Sequence, residues 1–126
     1  MLVEVAVAVL HAQNRYWVQR RAGTGHLDGL WEFPGGKIET NESPREALQR
    51  ELLEELGLEI EPQAAQRIDS ITHTYSERTV RIHFFLLEFR TGQPAIDRPG
   101  RWVTVSELRE LPTPAANQPI LRLLNP

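Results

Sequence analysis

The sequence predicts an α+β fold, a mixed α/β sandwich in which strands outnumber helices. Three observations predict it. Runs rich in β-branched and aromatic residues recur at 2–10, 15–21, 66–73, 79–89 and 101–105. One segment, 44–56, carries complete start and stop signals for a helix. Strands are expected both before and after that helix, so the two types belong to one layered unit. With 126 residues, 40% of them from the AVILMFWYC set, the chain can bury a real core as one domain, 1–126. There is no room for a second.

Residues 2–10 (LVEVAVAVL) alternate weakly and read as a mostly buried strand. His11-Ala12-Gln13-Asn14 reads as a turn and Arg15 to Arg21 as a second strand. Gly23, Gly25 and Gly29 mark a loop through Leu30, and Trp31-Glu32-Phe33 is a short extended piece stopped by Pro34-Gly35-Gly36. The helix follows, with Ser43 as N-cap, Pro44 as first helical residue and Glu46 at N3, a capping box. Gly57 ends it, with Leu58 available to touch Leu53, and Pro62 prevents resumption. Strands at 66–73, 79–89 and 101–105 and short helices at 106–110 and 118–124 complete the chain.

Several classes are excluded early. The absence of cysteine removes a disulfide scaffold, a thiolate zinc site and a cysteine nucleophile. The apolar run Val5–Leu10 follows Glu4, lacks a basic flank and is too short to span a membrane. A soluble, cytoplasmic protein is expected. The net charge of −3 conceals a sharp asymmetry: residues 32–61 hold nine acids and three bases, a local −6, while the remainder holds eight acids and eleven bases. Thirteen of the fourteen bases are arginine. An acidic segment in a basic frame argues against a general nucleic-acid surface. It suits a protein that holds a cation and meets an anionic ligand with arginine forks.

On the helix, Leu48, Leu52 and Leu56 share one stripe at i, i+4, i+8, and Glu51, Glu54 and Glu55 share another. Like charges at this spacing repel, and Glu54 and Glu55 also lie near the negative end of the helix dipole. Arg50 is the only base within the last two turns. A solvated acidic face is one reading of this stripe. A divalent cation is the other, because hard Mg²⁺ or Mn²⁺ takes carboxylate oxygens and keeps waters for substrate phosphates.

The glycines flanking the helix complete a pattern. Gly36, Glu42, then Arg50-Glu51-Leu52-Leu53-Glu54-Glu55-Leu56-Gly57-Leu58 match the Nudix box, G-x5-E-x7-R-E-U-x-E-E-x-G-U, at every fixed position over 36–58. The chain therefore resembles the Nudix hydrolases. That resemblance implies a loop–helix–loop whose glutamates bind Mg²⁺, with Mn²⁺ able to substitute, and which cleaves phosphoanhydrides. It implies Glu51 and Glu55 as main metal ligands and Glu54 as ligand or base. Arg50 would orient the glutamates, the Gly35 carbonyl would add a ligand, and Glu42 would be structural. Anhydride hydrolysis needs charge neutralisation and an oriented water, which metal ions supply. His11, His26, His73 and His83 are scattered and suggest no serine–histidine pairing.

Outside the box, Gln19-Arg20-Arg21, Leu30–Glu39, Tyr75-Ser76-Glu77-Arg78 and Pro114–Pro119 resemble the MutT-like branch, which hydrolyses 8-oxo-dGTP. The resemblance implies that Asn117 hydrogen-bonds the purine edge, Phe33 and Tyr75 lie against the base, Arg78 closes over it, and Glu32 belongs to the same substrate-binding run. Arg21, with His26, would meet the phosphates. On local grounds Asn117 serves equally as N-cap of the last helix, Arg21 as an exposed strand end, and Phe33 and Tyr75 as core. One departure stands out. The branch places an acid six residues before a tryptophan, here Trp102, but that position is Ile96. A one-residue deletion in 92–100 would let Asp97 serve as ligand or base.

The expectation is a Mg²⁺-dependent nucleoside triphosphate pyrophosphohydrolase that converts 8-oxo-dGTP to 8-oxo-dGMP and pyrophosphate. Its partner is a nucleotide, with no nucleic acid or membrane, and a monomer is compatible with it. The alternatives are CTP or another damaged nucleotide, ADP-ribose, a dinucleoside polyphosphate, or a non-catalytic base-recognition module.

Overall fold

In the computed structural model the described residues are 1–20, 29–74 and 76–124. Seven strands are present among them: β1 (Leu2–Ala12), β2 (Arg15–Arg20), β3 (Trp31–Glu32), β4 (Gly35–Lys37), β5 (Gln66–Thr74), β6 (Thr79–Glu88) and β7 (Arg101–Val103). The helices are α1 (Pro44–Leu56), α2 (Val105–Glu110) and α3 (Gln118–Leu123). The expected α+β sandwich is what forms.

The strands run in the order β3-β2-β1-β6-β5, with β4 added to β1 and β7 to β2. β1 and β6 pair in parallel from Leu2↔Thr79 to His11↔Glu88, and the other pairs are antiparallel. One edge of β1 thus belongs to β6. The other is divided between β2, at His11 and Ala12, and β4, at Val5–Val7.

Period-two alternation sorts side chains to two cores, one on each face of the sheet. Ala6, Ala8 and Leu10 of β1, Trp17 of β2 and Phe85 and Leu87 of β6 pack with Leu48, Leu52 and Leu56 of α1. Their neighbours Val9, Tyr16, Val18 and Phe84 pack with Leu108 of α2 and Ile120 and Leu121 of α3. Small Ala6 and Ala8, both fully buried, let the leucine stripe of α1 lie close to the sheet. No helix among the described residues is long and apolar enough to cross a membrane.

α1 spans the expected residues. Glu46 N–H donates to Ser43 Oγ at 3.1 Å and Ser43 N–H to Glu46 Oε1 at 2.8 Å, closing the capping box. Gly57 takes φ 63°, a left-handed conformation that glycine adopts without penalty, and its N–H donates to the Leu53 carbonyl.

Several boundaries differ from expectation. β1 continues through His11 and Ala12, so the turn shrinks to Gln13-Asn14, both with positive φ, as a two-residue hairpin of matching twist requires. Pro34-Gly35-Gly36 does not stop the chain; Gly35–Lys37 is β4. A Cβ on Gly35 would collide with the Ala6 carbonyl oxygen, so the glycine is what allows this strand to close on β1. β7 ends at Val103 because Thr104 caps α2 with Glu107 in a second capping box. That T-x-x-E signal was readable, and it starts the helix at Val105. The strand expected over 79–89 ends at Glu88, with Phe89 N–H still donating to the His11 carbonyl.

Candidate active site

Burial of Leu48, Leu52 and Leu56 fixes the rotation of α1 and hence where its glutamates point. Glu51 and Glu55 turn toward the protein, with side chains 15% and 29% exposed, while Glu54 is 61% exposed. Glu51 fills the space that Gly36 of β4 leaves open: a Cβ at Gly36 would overlap the Glu51 carboxylate. The two adjoining glycines therefore serve different ends. Gly35 admits backbone, and Gly36 admits a carboxylate.

Arg50 ties the preceding loop to this helix. Its Nε donates to Glu42 Oε2 at 2.6 Å and its Nη2 to Glu42 Oε1 at 3.0 Å, a two-point match of guanidinium and carboxylate. Nη2 also donates to the Lys37 carbonyl at 2.9 Å and Nη1 to Glu51 Oε1 at 2.9 Å. Glu54 Oε2, 3.4 Å from Nη1, is held outward by the same fork. The Arg50 hydrogen bonds, with a further one from Glu39 N–H, hold the Glu42 carboxyl below the usual range.

Glu55 behaves in the opposite way. Burial, then a hydrogen bond and the charge from Glu51, push its carboxyl up to about 7. Two groups oppose this, Arg98 and Gln19. Gln19 is fully buried on β2, and its Oε1 accepts from Trp17 Nε1 at 3.0 Å. Because an indole only donates, that bond fixes the amide and leaves the Gln19 NH₂ for Glu55. Arg98 Nη1 lies 3.3 Å from Glu55 Oε2. Sequence reasoning assigned neither residue to the site. For Gln19 the signal was its i, i+2 spacing from Trp17, which puts both on the α1 face of the sheet. For Arg98, on a loop without periodicity, there was none.

The expected metal ligands are thus only partly assembled. Among the described residues, no group of three or more His, Cys, Asp or Glu side chains is arranged to hold a metal ion. Glu51 and Glu55 are paired, Glu54 is engaged with Arg50, and Gly35 lies in β4 next to the Gly36 gap. Asp97 is exposed at the C-terminal end of α1, where its N–H donates to the Leu56 carbonyl at 2.9 Å. Arg98, one residue later, is the loop residue that reaches Glu55. A pair of adjoining carboxylates fits a hard cation that retains waters and takes further oxygens from substrate.

Phe33 and Asn117, of the expected base-binding residues, lie on the other face, with the core that α2 and α3 cover. Phe33 is buried among Val9, Phe84 and Ile120. Trp31 N–H donates to the Pro112 carbonyl at 2.8 Å, tying β3 to the segment that leads to Asn117. Asn117 is buried and precedes α3, but its backbone is helical and its side chain makes no capping bond. The cap alternative therefore has no geometry behind it. Glu32 is half-buried opposite Gln19 in the β2–β3 ladder. Arg78 is exposed between β5 and β6. Arg21, His26 and Tyr75 lie outside the described residues.

Comparison with known proteins agrees with this architecture. The NUDIX domain model matches residues 5–123. The 8-oxo-dGTP diphosphatase of Escherichia coli (strain K12) is 34% identical over 125 residues, 97% of this chain and 95% of that protein. The CTP pyrophosphohydrolase of the same strain is 32% identical over 122 residues, 95% and 89% of the two chains. The solution structure of the E. coli ORF135 protein superposes with a TM-score of 0.81 at 28% identity, covering 96% of this chain and 86% of that one. The box residues, the strand that Gly35 makes possible and a family match over nearly the whole chain agree: this chain belongs to the NUDIX domain family.

Proposed function

We propose that this chain is a divalent-metal-dependent nucleoside triphosphate pyrophosphohydrolase whose preferred substrate is 8-oxo-dGTP, cleaved to 8-oxo-dGMP and pyrophosphate. The observation that carries the reading is the half-buried Glu51–Glu55 pair, set over the Gly36 gap and steadied by Arg50. Glu51 and Glu55 would hold Mg²⁺, or Mn²⁺ in its place, with Glu54 and the Gly35 carbonyl as the further ligands that the box implies. Held by these residues, such a cation would supply charge neutralisation for the non-bridging phosphate oxygens and activation of a water. Arg50 keeps Glu51 in place through its hold on Glu42. Gln19 orients Glu55 from beneath.

Asn117 supports the choice of base. It is buried and its side chain makes no capping bond to α3, which leaves a role in recognising a purine edge. Phe33, in the core into which α3 packs, would give the base an apolar wall. The kinship with 8-oxo-dGTP diphosphatases points the same way. We place the protein among free nucleotides of the cytoplasm, as a single domain that removes a mutagenic precursor before it enters DNA. A second reading, CTP as substrate, is favoured by the relative of that activity at near-full coverage.

The test is a set of purified-protein assays with Mg²⁺ on 8-oxo-dGTP, dGTP and CTP, reading pyrophosphate and orthophosphate separately. The expected outcome is pyrophosphate release with the highest kcat/KM on 8-oxo-dGTP. Glu51→Gln and Glu55→Gln should each lower turnover at least about a hundredfold while the protein stays folded, because each removes a charged ligand. Preference for CTP would transfer the assignment to the second reading, and orthophosphate release would overturn both.

A further inference from the structure

Among the described residues, two arginines reach the glutamates of α1, and they are held very differently. Arg50 is locked: its donors reach Glu42, Glu51 and the Lys37 carbonyl at 2.6–3.0 Å. Arg98 is loosely held. It contacts Glu55 Oε2 at 3.3 Å and the Arg20 carbonyl at 3.5 Å, both at the long limit of hydrogen bonding. The remaining donors of its five-donor fork make no contact among the described residues. Its backbone, by contrast, is anchored, because the neighbouring Asp97 N–H donates to the Leu56 carbonyl at the end of α1. The result is a weakly held guanidinium on an anchored stem, set against one carboxylate of the pair.

We infer that Arg98 is a displaceable counter-ion: it neutralises Glu55 until a divalent cation arrives and then turns to a phosphate oxygen of the substrate. The inference rests on the metal reading above and extends it to a residue outside the box. A guanidinium and a divalent cation brought to the same carboxylate repel each other, so the more weakly held of the two arginines is the one a cation would displace. Arg50 cannot leave without breaking the loop. Arg98 can, because it gives up two long contacts and keeps its anchored backbone. The anion nearest to a cation on Glu51 and Glu55 is the polyphosphate that the cation itself recruits. A planar fork with spare donors suits that anion. Arg98 is thus a substrate-positioning residue that also sets how tightly the free protein holds metal.

The two roles make opposite forecasts for one substitution. In nucleotide-free protein, Mn²⁺ affinity is read from the paramagnetic signal of unbound Mn²⁺. Arg98→Ala should bind Mn²⁺ about two- to fivefold more tightly than the wild type, the size of a partly exposed ion pair. Arg98→Lys, which keeps the charge, should bind it as the wild type does. With Ca²⁺ replacing Mg²⁺ to suppress turnover, Arg98→Ala should bind dGTP roughly tenfold more weakly, as expected for one charge-assisted contact. Arg98→Gln provides a second neutral variant that preserves side-chain length.

Glu51→Gln and Glu55→Gln serve as controls for the cation. Mn²⁺ binding that survives both would overturn the metal reading and this inference with it. Where those controls lose Mn²⁺, unchanged or weaker Mn²⁺ binding in both Arg98→Ala and Arg98→Gln overturns the counter-ion role alone. Tighter metal with unchanged dGTP binding overturns the phosphate role.

Discussion

Arg50 grips Glu42 through two parallel hydrogen bonds, 2.6 and 3.0 Å long, across eight residues of sequence. The same guanidinium reaches Glu51 at 2.9 Å. One side chain therefore transmits the position of the 37–42 loop to a carboxylate of the site.

Acid should open this clamp. The Glu42 carboxyl is held below its ordinary range by Arg50, so its contribution to stability is present above that range and is lost as pH falls through the lowered value. Urea denaturation across the acid range should show stability falling with pH. Glu42→Gln should flatten that dependence and lower kcat roughly tenfold or more at neutral pH, since Glu51 loses its steadying partner. An unchanged acid slope in the variant would remove Glu42 from the account.

Glu55 should give the opposite slope. Its carboxyl is pushed up to about 7, so the protonated form is favoured by folding. The associated stability is full below the ordinary carboxylate range and is lost as pH rises through about 7. Thermal melts in the presence of a chelator should therefore weaken as pH rises toward neutrality, and Glu55→Gln should abolish that loss. Adding Mg²⁺ should reverse the trend in the wild type, because the cation binds the deprotonated pair.

The adjoining glycines should separate fold from function. In Gly35→Ala the new methyl meets the Ala6 backbone, which cannot yield, so β4 must part from β1. A stability loss of about 2 kcal/mol or more is expected. In Gly36→Ala the methyl meets the end of the Glu51 side chain, which can swing away. Turnover should then fall by about a hundredfold with a small change in denaturation midpoint. Equal effects of the two substitutions on stability would contradict the division of labour.

Asn117 should matter for selectivity and little for stability, as its side chain caps nothing. Asn117→Ala should reduce discrimination between 8-oxo-dGTP and dGTP by roughly ten- to a hundredfold, the value of a desolvated hydrogen-bond pair. Metal dependence should persist. Measuring kcat/KM for both nucleotides beside a denaturation curve checks this, and a destabilised but equally selective variant would return Asn117 to helix capping.

Much of this protein is determined locally. The Ser43–Glu46 box, Pro44 and Gly57 specify both ends of α1, since each acts on backbone groups within a turn of itself. The leucine stripe likewise specifies which face of α1 is buried, and with it that Glu51 and Glu55 turn inward while Glu54 does not. The box pattern identifies the family from residues 36–58 alone. What the chain could not disclose by itself is what comes together from afar. That Gly35-Gly36 is a strand and not a stop depends on Ala6, whose carbonyl leaves room for no side chain. That Gln19 faces Glu55 depends on Trp17 holding its amide, and on α1 lying over β2. That Arg98 addresses Glu55 while Asp97 binds only through its backbone depends on a loop docked at the end of α1. Local signals are spent on hydrogen bonds a few residues apart. Charges and amides separated by more than thirty residues are matched only when packing of the two cores brings their strands and helix into register.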